Sequence, residues 1–122
     1  MPNPVLYHNP RCSKSRQALA LLSAEDAVFS VVEYLKTPLN ESEISNVYKA
    51  LKANDAVKCA YDMLRTKESE YKLAELSTTS SDAQVIAAIA KYPKLLERPI
   101  YMANNLAAIG RPLENIKAMI ND

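Results

Sequence analysis

Apolar positions along this chain follow two periods, and each change of period marks a predicted element. Val5 to Tyr7 is a short apolar run that stops at the turn-prone His8-Asn9-Pro10, which predicts a strand followed by a loop. From Ser15 to Ser23 the spacing becomes helical, with Leu19 and Leu22 three apart and Ala18 beside them. Val28 to Tyr34 is rich in β-branched and aromatic residues and is closed by the turn chemistry of Thr37-Pro38-Leu39-Asn40, so a second strand is expected there. The opening is thus a βαβ-like unit, which favours a right-handed crossover.

The next stretch reads as helical. Asn40 with Glu43 three residues on resembles a capping box, and Ile44, Val47, Tyr48 and Leu51 then repeat at i, i+3, i+4 and i+7, predicting a helix from Glu41 to Ala53. Asp55 is placed to cap a further helix bearing Val57, Ala60, Tyr61 and Leu64. Ser80 or Ser81 precedes another, with Val85, Ala88, Ile89 and Tyr92 on one face and Pro93 beyond its end. Two short strands, Pro99 to Ala103 and Leu106 to Ile109, are joined by Asn104-Asn105, a pair that tolerates positive φ and suits a hairpin. Gly110 ends the second strand, and Pro112 is expected in the first turn of a closing helix whose Leu113, Ile116 and Ile120 share a face. The expected order is β-α-β, helices over about 40–92, then β-β-α, in an α/β fold with a mixed sheet. Residues 1–122 read as a single domain.

Composition narrows the class. A chain of 122 residues, 48% hydrophobic and 24% charged, with a formal charge of +1, is a globular protein with no overall field to attract nucleic acid or an anionic membrane. The longest apolar run, Val85 to Ala90, is too short to span a bilayer, and the Met-Pro-Asn-Pro start lacks the marks of an export signal, so a cytoplasmic protein is expected. One His and two separated cysteines do not make a zinc set. A single glycine excludes both a Walker loop and a G-x-G-x-x-G fingerprint.

The chemistry gathers at Cys12. It lies between a predicted strand end and a helix start, where backbone N–H groups and the helix dipole favour an anion. His8, Arg11, Lys14, Ser15 and Arg16 surround it, a setting that lowers a thiol pKa. The spacing Cys12-Ser13-Lys14-Ser15 is C-x-x-S, so no resolving thiol stands nearby and a second molecule must complete any exchange. Cys59, beside the apolar stripe of its predicted helix, is expected to be a small buried hydrophobe. Arg98-Pro99 and Arg111-Pro112 put guanidinium groups on the half that packs against Cys12, and Arg65 is placed to close the same pocket. Three such forks suit a tetrahedral oxyanion. Pro99, opening a strand, is a candidate for a cis peptide bond.

These residues carry a family resemblance. His8-Asn9-Pro10-Arg11-Cys12-Ser13-Lys14-Ser15-Arg16 resembles the active-site loop of the glutaredoxin-coupled arsenate reductase (ArsC) family. Leu64-Arg65-Thr66-Lys67-Glu68, Glu97-Arg98-Pro99 and Ile109-Gly110-Arg111-Pro112 resemble its later blocks, in order along nearly the whole chain. The resemblance implies a thioredoxin/glutaredoxin-like fold with a helical insertion and the reduction of arsenate to arsenite. It implies Cys12 as nucleophile, His8, Ser15 and Arg16 as its supports, and Arg65, Arg98 and Arg111 as oxyanion ligands. Glutathione then enters as co-substrate, with no bound cofactor or metal, and glutaredoxin as the partner that resolves the mixed disulfide. Arg11 and Ser13-Lys14 depart from the family pattern. Two alternatives stay open: a monothiol glutathione-dependent oxidoreductase of the same fold acting on another substrate, and an Spx-like regulator that docks on RNA polymerase. The second is disfavoured by Ser15, where such regulators carry a second cysteine.

Overall fold

The structure is a computed structural model that describes residues 4–25 and 28–120. Its strands are β1 (Val5–Tyr7), β2 (Ser30–Val32), β3 (Ile100–Ala103) and β4 (Leu106–Ile109), and its helices α1 (Ser13–Ala24), α2 (Glu41–Ala53), α3 (Ser69–Leu73), α4 (Asp82–Lys91) and α5 (Glu114–Ile120). The sheet order is β2-β1-β3-β4. β1 and β2 are parallel, while β3 runs antiparallel to both β1 and β4. The carboxyl ends of β1, β2 and β4 and the start of β3 therefore meet at one edge of the sheet, and the loop that carries Cys12 follows β1 on that edge.

Strand periodicity divides the core in two. Leu6, Tyr101 and Ala108, in register across β1, β3 and β4, face Ala18 and Leu22 of α1 and Ile116 of α5. Tyr7, Ile100 and Ala107 face the other way, into a larger cluster with Ile44, Val47 and Leu51 of α2 and Val85 and Ile89 of α4. Both long helices of that layer begin with reciprocal caps, Asn40 with Glu43 and Ser81 with Gln84. Asp82 then accepts from the Tyr48 hydroxyl (2.9 Å) and from the Ala60 N–H (3.1 Å), tying the layer together. Among the described residues, no helix is long and apolar enough to cross a membrane.

Several expectations need correction. Asp55 does not cap a new helix but ends α2: it takes a left-handed φ of 55°, with Asp55 N bonded to Lys52 O and Ala56 N to Leu51 O. That is the two-bond C-terminal motif usually made with glycine, and in a chain with a single glycine an aspartate serves. The expected helix over Val57 to Leu64 is only a 3-10 turn, Ala60–Met63, because Asp62 and Asp82 carboxylates take the Lys58 and Ala60 N–H groups. Val57, Ala60 and Leu64 are buried all the same. Cys59, just before that turn, is exposed rather than buried. α3 falls within the stretch expected to be helical, though no apolar period marks it as an element, and it has no fully buried residue. β2 covers only Ser30–Val32 of the expected Val28 to Tyr34, since Val28 is solvent-facing and a turn starts at Glu33. Pro112 stands outside α5, its carbonyl accepting from Asn115 N at 3.1 Å.

Gly110 joins β4 to Arg111. A Cβ on it would stand 2.8 Å from the ring carbon Cγ of Pro99 and 2.7 Å from Ile116 Cδ1, and the proline ring cannot swing aside. Gly110→Ala is expected to lose about 1–3 kcal/mol through overpacking, read as a lower midpoint in urea unfolding with an unchanged slope.

Candidate active site

The loop after β1 is held by its own backbone. His8 N donates to Val32 O of the parallel neighbour (2.9 Å), Cys12 N to Asn9 O (3.0 Å) and Arg16 N to Cys12 O (3.0 Å). The Asn9 side chain accepts from Arg11 N at 3.0 Å, a local turn that suits asparagine. These bonds set Cys12 as the residue capping α1, with extended backbone angles (φ −95°, ψ 123°).

Beneath the loop lies a buried polar cluster. Ser15 Oγ accepts from Asn9 N (3.0 Å) and lies 2.7 Å from His8 Nδ1. With its lone-pair side engaged by Asn9, the hydroxyl proton is directed to Nδ1 when the ring carries its own proton on Nε2. Burial is the main reason that the His8 pKa falls below its ordinary value, with the Glu33 carboxylate opposing. At neutral pH the ring is therefore uncharged, and His8 supports the loop by hydrogen bonding.

At Cys12 the balance runs the other way. Burial raises the thiol pKa, but the Ser15 N–H, the charge of Arg98, the Lys14 N–H and a donor of the Arg98 side chain outweigh it, and the net direction is down. Arg111 Nη2 lies 3.3 Å from Cys12 Sγ. Its Nε donates to Arg98 O at 2.8 Å, so the two arginines are fixed to each other as well as to the sulfur. Both precede cis peptide bonds, at Pro99, the candidate bond, and at Pro112 in addition.

Not every expected residue reaches the thiol. Arg16 turns back to brace the loop, its Nη1 donating to Pro10 O at 2.9 Å. Arg65 is brought to the same side by a short antiparallel bridge, with Arg65 N bonded to Leu95 O (2.7 Å) and Glu97 N to Met63 O (2.8 Å). Its guanidinium faces two carboxylates, Glu68 (3.2 Å) and Glu97 (3.4 Å), neither of which the sequence singled out. Leu64, Arg65, Thr66, Lys67, Glu97 and Arg111 line an open cleft of about 380 Å³, and Arg111 joins that cleft to the sulfur. Tyr34 was seen only as the end of a strand, yet its ring is buried and its pKa is pushed up to about 12 by burial, against the charges of Arg98 and Arg65. Among the described residues, no group of three His, Cys, Asp or Glu side chains gathers as metal ligands would.

A mixed sheet with a thiol at its carboxyl edge, capping a helix and faced by arginines, defines a protein of the thioredoxin-like class. The sequence profile of the ArsC family matches residues 7–119, and the chain belongs to that family. It is 45% identical to an arsenate reductase of Neisseria meningitidis, over 98% of this chain and all of that one. It is 41% identical to the uncharacterised protein YfgD of Escherichia coli, over 94% of each. The solved structure of an arsenate reductase from Vibrio cholerae superposes with a TM-score of 0.84 at 39% identity, covering 93% of this chain and 95% of that one.

The lowered Cys12 pKa has a sign that can be checked. Iodoacetamide reacts with the thiolate, so in a Cys59→Ser background the pH midpoint of alkylation is expected below that of a free cysteine, about 8.5. Arg98→Ala and Arg111→Ala should each raise that midpoint. A midpoint that neither replacement moves would show that backbone donors alone hold the thiolate.

Proposed function

We propose that this protein reduces arsenate to arsenite with Cys12 as nucleophile and glutathione and glutaredoxin as its thiol partners. The observation that carries the reading is the Cys12–Arg111–Arg98 arrangement: a thiol biased toward its anion, with guanidinium donors held against it. The relatives named arsenate reductase support the choice of substrate.

The thiolate attacks arsenic and forms an S–As bond, and the displaced oxygen leaves as water. Arg98 and Arg111 hold the remaining oxygens, and Arg65 completes the pocket from the cleft side. Hydrogen bonds to charged oxygens are the strong ones, and the arginine fork presents two at once. A glutathione thiolate then attacks the Cys12 sulfur, the S–As bond breaks, and its electron pair stays with arsenic. Arsenic passes from the +5 to the +3 state, and the two sulfurs become a mixed disulfide. Glutaredoxin cleaves that disulfide and frees Cys12 again. One thiol both attacks and leaves, which favours a low pKa. Ser15 occupies the place where a resolving cysteine would stand in C-x-x-C and is bonded to His8 and Asn9, so the second thiol comes from outside. Such a cycle belongs in a thiol-reducing compartment, the cytoplasm.

The test is arsenate-dependent NADPH oxidation coupled through glutathione, glutaredoxin and glutathione reductase. Cys12→Ser is expected to abolish the rate. Arg98→Ala or Arg111→Ala should lower kcat/KM about 10- to 100-fold, the worth of one lost charge-assisted hydrogen bond. No rate in native protein whose Cys12 still alkylates quickly at neutral pH would sink the arsenate reading and turn attention to glutathionylated substrates.

A further inference from the structure

Tyr34 lies just past the end of β2, beside the Cys12 loop, because β2 runs parallel to β1 and Val32 O accepts the His8 N–H. Its side chain is 1% exposed. The ring has ample reason to be there, packed in the larger core among Tyr7, Leu39 and Ile44. The hydroxyl has less: among the described residues no well-aligned hydrogen bond reaches it, and the one group that bears on its oxygen, the Arg98 side chain, is a donor, so its proton has no acceptor. Arg98 Nε is buried and unpartnered in the same way. The charged groups whose fields reach the phenol are Arg98, Arg65 and Cys12, the groups that the proposed chemistry uses. Buried polar groups are nearly always satisfied, and a pair left open at one place asks for an explanation.

What both atoms lack is an acceptor. Arginine has only donors to offer, and the phenol oxygen can accept from it but still holds a proton with nowhere to go. A tetrahedral oxyanion at Cys12 brings several lone pairs to that place. We propose that the Tyr34 hydroxyl is a further donor to the oxyanion bound at Cys12, acting together with Arg98 Nε. The inference rests on the oxyanion pocket of the proposed function and deepens it. Because burial keeps the phenol protonated, Tyr34 serves as a donor across the working pH range and not as a base. A neutral donor among guanidinium groups adds a directed hydrogen bond without further charge, so it favours the geometry of the anion.

The experiment uses Tyr34→Phe, which removes only the oxygen, in a Cys59→Ser background. Protection of Cys12 from iodoacetamide is measured against arsenate, phosphate and sulfate, together with the Tm of the free protein and arsenate turnover. The expected result is an unchanged or raised Tm, since the lost hydroxyl proton had no acceptor in the free protein, with an unchanged alkylation rate when no anion is present. The anion concentration for half-protection should rise about tenfold or more. Equal half-protection in the two proteins would overturn the inference. So would a Tyr34→Phe protein of lowered stability, because its hydroxyl must then have had a structural partner. If none of the three anions protects the native chain, the pocket itself falls and the inference with it. If anions protect the native chain and Tyr34→Phe loses that protection, yet arsenate is not turned over, Tyr34 stands as an oxyanion ligand and only the arsenate reading fails.

Discussion

Biasing a partly buried thiol toward its anion is the constraint around which the rest of this structure is arranged. Burial alone would push the Cys12 thiol toward its neutral form, and it is the largest single influence on the group. The fold answers with donors fixed in advance: the Ser15 and Lys14 N–H groups of α1 and the Arg98 guanidinium. Their position is set by sheet topology. Parallel pairing of β1 with β2 and antiparallel pairing of β1 with β3 put the start of α1 and the residue before β3 on the same edge. A donor that is already in place costs no reorganisation when charge appears, which is why such sites outperform water. Linkage then gives the sign of the pH dependence. The folded thiol titrates below the unfolded one, so its ionisation stabilises the fold above the unfolded pKa, and that contribution is lost as pH falls through the folded value.

The arginines divide the work through their partners. Arg111 donates to the Arg98 carbonyl and to the sulfur, so its position depends on the chain path at Arg98. Arg65 faces Glu68 and Glu97, which offset much of its charge and hold its fork still. On the proposed reading, an anion entering the pocket meets two cations biased toward the sulfur and a third already shared with carboxylates. That grading lets the site attract an anion and still release a product of lower charge. The helical segment between β2 and β3 is needed for this, because the bridge between Leu64 and Leu96 carries Arg65 to the edge.

The sequence was most legible where one local signal agreed with the tertiary requirement. The start of α2 follows from the reciprocal cap that the chain spells as Asn40…Glu43, that of α4 from Ser80 or Ser81 ahead of an apolar period, with Ser81 the cap in the structure, and the β3–β4 hairpin from Asn104-Asn105, both at positive φ. Cys12, His8 and Ser15 were legible because they sit within one loop and one helical turn. The failures have physical causes. Apolar spacing over Val57, Ala60 and Leu64 is satisfied equally by a helix and by a turn whose N–H groups are taken by distant carboxylates, and periodicity cannot tell these apart. α3 has no fully buried residue and sets only Tyr71 partly against the core, so it leaves no apolar period to read. Arg16 shares a motif with Cys12 and bonds to Pro10 O of the same loop; a motif records proximity along the chain and not the direction of a side chain.

Tyr34 marks the limit of such reading most clearly. In sequence it is one more aromatic at the end of a β-rich run, and that is what its ring is: a residue of the larger core, in the same cluster as Tyr7 and Ile44. Its oxygen belongs to a different part of the molecule, and only the strand order brings it there, since β2 lies next to β1 and ends at the same edge. One side chain thus links the larger core to the Cys12 edge, the apolar ring fixed by packing and the polar tip buried beside Arg98 with no acceptor for its proton. A group held by a rigid core loses little freedom when it engages a ligand, so an open donor there is better placed than one on a loop. The same packing explains why an unsatisfied hydroxyl can persist: the ring's burial offsets the cost of the bare oxygen, and the oxygen stays available to an incoming anion.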